Sequence, residues 1–356
     1  MIETKRIVMA TPELAGPGPA GGLGAAEHHV LEAAAARMRF DTTGATLLTP
    51  GVFRLPAADD GAGAVAKIHR LGTTREAALR QATVASWVLE HDIPTARPLG
   101  RPTSVRGQMV SFTRDLGPGR PADPEERAAL LALLHALPAP TGLPLPETAP
   151  TASLQRRLDA LPATVVNGDA RKEVWTCLQM VERLWNHLEP LTRRRLVHGN
   201  TDPSHTVVGR DGIPNLINWT AAAIGPPGLD LASEAFRRDG FGADPRDYER
   251  FHAEYGHDIT QDDTGRTYAV LAARAAAAGV ITAAEHAVHD PQWRPEYLLR
   301  LSCLSALGDP ARPYPWTWRA GSQLTVPPQP PACLPGPGGP ARPDAQPGAE
   351  SGQLPA

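Results

Sequence analysis

The residues with the clearest chemical potential lie between His198 and Ala232, in the segment HGNTDPSHTVVGRDGIPNLINWTAAAIGPPGLDLA. Imidazole and carboxylate side chains move protons in proteins, and imidazole, carboxylate and amide side chains can hold metal ions. His198, Asp202 and His205 could together hold a transition metal from one loop. Their spacing is generic, however, and an Asp before a Pro commonly opens a turn. A structural role for Asp202 therefore competes with the metal-site hypothesis.

The motif order in this segment resembles that of the aminoglycoside phosphotransferase and choline kinase-like families. In those families HGDxHPGN is followed by a strand that ends in IDW, and then by GxPxxDLA. The resemblance covers roughly residues 40 to 310 and is most specific at 196 to 232. It implies a bilobal protein kinase-like fold of the α+β class, with His198 and Asp230 bracing the catalytic loop.

The resemblance also places amides where the families have carboxylates. Asn200 stands at the position of the catalytic Asp, Asn218 at that of a metal-binding Asp, and His205 at that of a metal-binding Asn. An amide cannot accept a proton from a hydroxyl, and a general base contributes about 10² to 10⁴ in rate. Mg²⁺ prefers oxygen ligands, carboxylates above all. We therefore expect poor Mg²⁺ binding and a pseudokinase-type binding or regulatory module.

Two other functions remain open from the sequence. Asp202 lies two residues after Asn200 and could replace the missing base or metal ligand, which would give an atypical ATP-dependent phosphotransferase acting on a hydroxyl acceptor. The cleft between the lobes could instead bind a ligand that is not a nucleotide. The sequence identifies neither a small-molecule acceptor nor a protein partner.

Residues for ATP binding follow from the same resemblance. Lys67, in AVAKI, matches the strand lysine that pairs with phosphates, and it is one of only three lysines in the chain. A solvated strand lysine is the plainer interpretation. The helical glutamate that would orient Lys67 aligns with Gln81, and Glu76 lies about 140° away around the same helix. Either Glu76 pairs with Lys67 or no carboxylate does, and we expect ATP binding to be weak.

The hydrophobic pattern predicts the elements that position these residues. Strand-like runs and one helix, with Ala78, Ala82, Ala85 and Leu89 on one face, predict an N-terminal lobe over 28–113. Val110 and Phe112 are predicted to contact the cofactor, near a hinge that we place around Val110 to Pro121.

The remainder of the chain is predicted in three parts. A linker spans 114–123 and a helical lobe spans 124–324, with an apolar stripe on a helix near 170–189. Tails rich in Pro and Gly at 1–27 and 325–356 are predicted to be disordered.

Composition excludes some classes of protein. The net charge of −3 lacks the basic excess of nucleic-acid binders. The sequence shows neither an apolar run of 18 residues nor a signal peptide, so we expect a cytoplasmic protein without a membrane partner. The three cysteines share no metal-ligand spacing, which is typical of reduced structural thiols.

Overall fold

The computed structural model describes residues 25–57 and 63–305. Its N-terminal part is a five-stranded antiparallel sheet in the order β1-β2-β3-β5-β4. The strands are β1 (Thr46–Thr49), β2 (Val52–Leu55), β3 (Ala64–Ile68), β4 (Thr103–Val105) and β5 (Gln108–Arg114). Helix α2 (Arg75–Glu90) follows β3, and Thr74 caps it by accepting a hydrogen bond from the backbone N–H of Ala77.

The strand register sorts the sheet residues onto two faces. Ala64, Ala66 and Ile68 are buried, whereas Lys67 is only partly buried and lies on the opposite face. Lys67 lies directly across from Ser111 on β5. The face that carries Lys67 is called the cleft face below, because Lys67 contacts the C-terminal part from it.

Helix α1 (Ala25–Met38) covers the other face of the sheet and was not predicted. Its buried residues Val30, Leu31, Ala34 and Ala35 pack against the buried residues of β2, β3 and β5. The predicted disordered tail 1–27 is therefore wrong for 25–27, which begin this helix. The rest of that prediction, and the predicted C-terminal tail, lie outside the described residues.

Val110 and Phe112 also belong to this core. They lie opposite Ile68 and Ala66 in the register, so both side chains face α1, on the side of the sheet away from Lys67. Their assignment to the cofactor site is corrected accordingly. Strand β5 also continues through Arg114, so the connection between the two parts begins after that residue and not at Val110.

The C-terminal part is mainly helical, as predicted, and the α+β kinase-like fold class is confirmed. Its helices are α3 (Pro124–Ala136), α4 (Ala152–Ala160), α5 (Gly168–Trp185), α6 (Gly228–Phe241), α7 (Pro245–Tyr255), α8 (Arg266–His289) and α9 (Arg294–Ser305). The short strand β6 (Arg120–Pro121) precedes α3. Four more short strands lie between α5 and α6: β7 (Arg195–Val197), β8 (Thr206–Val208), β9 (Pro214–Leu216) and β10 (Ala223–Gly225). Strand β6 pairs with β8, which pairs with β9, and β7 pairs with β10.

Two helices account for much of the C-terminal core. The predicted stripe on α5 is buried at Val174, Cys177, Leu178, Val181 and Trp185. By length and hydropathy, the 31-residue helical stretch Ile259–His289 could cross a membrane, but 56% of its apolar window is buried inside the protein. It packs against α5, α6 and α9 as the core helix of a globular lobe.

Candidate functional site

Asp230 holds the loop that contains the candidate reacting residues. It is fully buried near the start of α6 and accepts hydrogen bonds from the backbone N–H groups of His198 (2.7 Å) and Gly199 (2.8 Å). Gly199 has a φ of 77°, and a Cβ there would lie 2.3 Å from the carbonyl oxygen of Ala221. The loop therefore requires glycine at this position, and Asp230 acts as a brace.

His135 is a third partner of Asp230, which sequence reasoning missed. Its Nε2 lies 3.1 Å from the Asp230 carboxylate, and its Nδ1 lies 2.9 Å from the hydroxyl of Tyr255. Burial raises the pKa of Asp230, but hydrogen bonds and the nearby imidazoles of His135 and His198 outweigh it and lower the pKa overall. The only signal in the sequence was a histidine inside the apolar run LLHALP.

His198 is part of the scaffold. Its Nε2 lies 2.9 Å from the carbonyl oxygen of Ile217 and so carries the hydrogen, and its ring packs against Trp219 with centroids 4.8 Å apart. Burial lowers the pKa of His198, which favours the neutral ring. Among the described residues no three His, Cys, Asp or Glu side chains form a metal-binding group. The transition-metal site at His198, Asp202 and His205 is therefore not formed.

Asp202 takes the turn role. Its Oδ1 accepts hydrogen bonds from the backbone N–H (2.8 Å) and the hydroxyl (2.6 Å) of Ser204, and so caps the short 3-10 helix Pro203–His205. Asn200 is exposed, and its carbonyl oxygen lies 3.0 Å from Nδ1 of His205. The two candidate reacting residues of this loop therefore differ in their structural role. Asp202 caps a helix, whereas Asn200 caps none of the described helices.

A chain of hydrogen bonds that includes no carboxylate joins His205, Asn218 and Lys67. Nδ1 of His205 donates to a carbonyl, so Nε2 carries a lone pair, which accepts from Nδ2 of Asn218 at 2.8 Å. This fixes the amide orientation and leaves Oδ1 of Asn218 to accept from Nζ of Lys67 at 2.8 Å. Burial is the largest cause that lowers the pKa of His205, which matches the neutral ring required here.

The backbone at Asn218 is also unusual. Its φ of 66° and ψ of 62° lie in the left-handed region, immediately before the 3-10 helix Trp219–Ala221. Asn and Asp enter this region more readily than other residues with a side chain. The position therefore favours either an amide or a carboxylate on conformational grounds, and the choice between them falls to the neighbouring side chains.

Among the described residues, the hydrogen-bond partners of the Lys67 ammonium are neutral oxygens. Besides Asn218 it contacts Oγ1 of Thr220 at 3.2 Å, and no ion pair among the described residues includes it. Burial and, secondarily, the charge of Arg70 lower the pKa of Lys67 to about 8. A partly buried cation without a carboxylate partner is suited to binding an anionic ligand.

Gln81 reaches this group and Glu76 does not. The hydroxyl of Thr220 lies 3.2 Å from Oε1 of Gln81, which places the amide beside the Lys67 cluster. Glu76 is exposed in the first turn of α2, where its own backbone N–H and Thr74 lower its pKa. The assignment of Glu76 to the cofactor site is corrected: it supports the start of a helix. Thr220 had no signal in the sequence beyond being polar and two residues from Asn218.

The sheet lobe, the helical lobe and the site between them define a protein kinase-like fold. The family model described as the phosphotransferase enzyme family, APH, matches residues 52–274, and the chain belongs to that family. None of the curated protein sequences matches the chain.

Solved structures of the same fold include three kinases. Choline kinase LicA from Streptococcus pneumoniae is 13% identical, with a TM-score of 0.57 over 80% of this chain and 100% of its own. Amicoumacin kinase hAmiN, solved with AMP-PNP and Ca²⁺, is 12% identical, with a TM-score of 0.57 over 76% and 92%. Aminoglycoside-3'-phosphotransferase of type VIII is 20% identical, with a TM-score of 0.53 over 71% and 99%.

Proposed function

We propose that this member of the phosphotransferase family binds a phosphate-bearing ligand such as ATP through Lys67, without a divalent metal, and does not transfer the phosphoryl group. It would act as a binding or regulatory module toward a small molecule or a protein. The observation that carries the proposal is the chain of hydrogen bonds through His205, Asn218 and Lys67, in which no carboxylate faces the Lys67 ammonium. Because ATP is a cytoplasmic metabolite, the proposal places the protein in the cytoplasm.

Magnesium does not fit this arrangement. Asn218 offers one oxygen, which already accepts hydrogen bonds from Lys67 and Thr220, and its amide N–H donates to Nε2 of His205. Both nitrogens of His205 are engaged as well. Mg²⁺ demands oxygen ligands and usually at least one carboxylate. A metal would also have to lie beside the Lys67 ammonium, which repels it.

ATP fits at Lys67 for the opposite reason. The uncompensated ammonium supplies positive charge where the family resemblance puts the phosphates, and the solved kinase hAmiN was crystallised with the ATP analogue AMP-PNP. Asn200 lacks the basicity to deprotonate an acceptor hydroxyl. Binding without transfer is therefore the behaviour that these residue types support.

We expect ATP to raise the melting temperature of the protein to the same extent with EDTA and with Mg²⁺. A ligand at 100 times its Kd stabilises the folded state by about 2.7 kcal/mol. Thermal shift with ATP, in EDTA, Mg²⁺ and Mn²⁺, measures this directly, and Lys67→Met is the control that should abolish the shift. Stabilisation that requires Mg²⁺ and disappears in Asn218→Ala would overturn the metal-free site.

Anion binding at Lys67 should weaken as the pH rises. The ammonium is the form that binds phosphate, and with a pKa of about 8 it is largely lost above that pH. Between about pH 7 and about pH 9 we expect the affinity for ATP in EDTA to fall about tenfold. Isothermal titration calorimetry at both pH values checks this, and a flat profile in the wild type would assign the binding to another cation.

The same pKa predicts the opposite trend for stability. The folded pKa of Lys67 lies below its ordinary 10.5, so the unfolded chain binds more protons between the two values. The contribution of Lys67 to the free energy of unfolding therefore rises with pH from about 8 to 10.5. A fall in the affinity for ATP together with a rise in the free energy of unfolding, as the pH rises above about 8, would be a signature of Lys67.

The alternative function rests on Asp202. A transferase that used its carboxylate as a base would show ATP turnover in the wild type that Asp202→Asn abolishes. The described hydrogen bonds engage only Oδ1 of Asp202, so one carboxylate oxygen remains for such a role. Turnover assays with aminoglycosides, choline and simple amino alcohols as acceptors separate the two functions.

A further inference from the structure

Arg54 extends from the cleft face of the sheet. It lies opposite Val65 in the register, and Val52 lies opposite Lys67, so Arg54 and Lys67 share one face of β2 and β3. Val65 precedes Lys67 by two residues, a separation of about 7 Å along a strand. The Arg54 side chain is therefore the next long side chain on this face, counted from Lys67 toward the start of β3.

The guanidinium of Arg54 contacts the segment that follows β5 and joins the two lobes. Its Nε lies 3.0 Å from Oδ2 of Asp115, and its Nη2 donates to the carbonyl oxygen of Gly117 at 3.0 Å. Asp115 is held in turn: its backbone N–H donates to Gly63 at 2.9 Å, and its Oδ1 accepts from the backbone N–H of Gly117 at 3.0 Å. The Asp115 side chain is only 11% exposed.

These contacts lie where the rest of a nucleotide would extend. With its phosphates at Lys67, a nucleotide that lies along the cleft face toward the segment joining the lobes would pass Val65 and Arg54 with its ribose and base. A base needs an apolar face and free backbone groups at its edge. The backbone carbonyl of Gly117 would serve that purpose, but Arg54 is already bonded to it.

We infer that Arg54 determines the specificity of the site by occupying the base end of the cleft, so that the site favours a bare polyphosphate chain over a nucleotide. This inference rests on the proposed binding of phosphate by Lys67. ATP must displace Arg54 from Asp115 and Gly117, whereas inorganic tripolyphosphate needs only the Lys67 end. The predicted weakness of ATP binding then has a structural cause.

The experiment measures the Kd of ATP and of inorganic tripolyphosphate by calorimetry in EDTA, for the full chain and three variants. Arg54→Val clears the base end and suits a strand, and Arg54→Gln is a second variant in case the first fails to fold. Arg114→Ala is the matched control. It removes the same charge from the residue next to Asp115, but its register with Ala64 puts its side chain on the α1 face.

The wild type should bind tripolyphosphate at least as tightly as ATP. Either Arg54 variant should bind ATP about tenfold more tightly, while its affinity for tripolyphosphate follows that of Arg114→Ala. Equal changes for both ligands, or no gain for ATP, would overturn the role of Arg54 while leaving phosphate binding intact. Failure of both ligands to bind any form would instead overturn the proposed function, and this inference with it.

Discussion

ATP turnover that depends on Mg²⁺ is expected in the triple variant Asn200→Asp, His205→Asn, Asn218→Asp, at least about 10²-fold above the wild type. A positioned general base alone contributes about 10² to 10⁴ in rate, and a carboxylate at position 218 with an amide oxygen at 205 gives Mg²⁺ the ligands that it prefers. The measurement is ADP release with a panel of hydroxyl acceptors, at saturating ATP, with Mg²⁺ and with EDTA.

The single variant Asn218→Asp is the informative control. In the wild type the Asn218 amide donates to Nε2 of His205, and a carboxylate has no hydrogen to donate. The new carboxylate should therefore raise the pKa of His205 from its lowered value, since a nearby anion favours the imidazolium. We expect this variant to remain inactive. A triple variant that binds ATP with Mg²⁺ and still turns over none would show that the missing carboxylates are not what limits activity.

Loss of the brace is expected to cost far more stability than loss of the reacting position. Asp230→Ala should lower the free energy of unfolding by about 3–5 kcal/mol, the cost of removing one partner from a buried charged group. It leaves the backbone N–H groups of His198 and Gly199 and the Nε2 of His135 without their partner. Asn200→Ala, at an exposed site, should stay within about 0.5 kcal/mol. Urea unfolding of both variants makes the comparison, and equal losses would refute the distinction.

The free energy of unfolding at acid pH should also depend on Asp230. The folded pKa of Asp230 is lowered, so its contribution is fully present above the ordinary value for Asp, about 3.9, and is lost as the pH falls below it. The wild type should therefore lose stability in acid more steeply than Asp230→Ala. If the free energies of unfolding of the two proteins fell in parallel with pH, Asp230 would not be the cause of the loss in acid.

The motif order was enough to predict the fold and the loop, because those positions are adjacent in sequence. The contacts that decide the chemistry could not be predicted from the motif, because they join segments that are distant in sequence. They are Lys67 to Asn218, Asp230 to His135, and Arg54 to Asp115. The motif marks Asn200, His205 and Asn218 as three separate departures from the family pattern. The hydrogen bond between Asn218 and His205 shows that two of these positions are coupled and have to be changed together.

Two other predictions from the sequence were wrong: the sheet face of Val110 and Phe112, and the absence of a helix at α1. Val110 and Phe112 were assigned to the cleft, yet a shift of one residue in register moves a side chain to the other face. The pairing of Ser111 with Lys67 shows which residues of β5 lie on the cleft face. Helix α1 was missed because its alanines carry a weak apolar signal, and its burial depends on the sheet that it covers.

The hydrogen bond between Asn218 and His205 also bears on how mutation can change this site. Asn and Asp codons differ by a single base, so a carboxylate at position 218 is one mutation away. That mutation alone would place the new carboxylate between the Lys67 ammonium and a protonated His205, because the carboxylate has no hydrogen to donate to Nε2. A single step toward a metal-binding site would thus meet two cations that compete with a metal ion for the new oxygens.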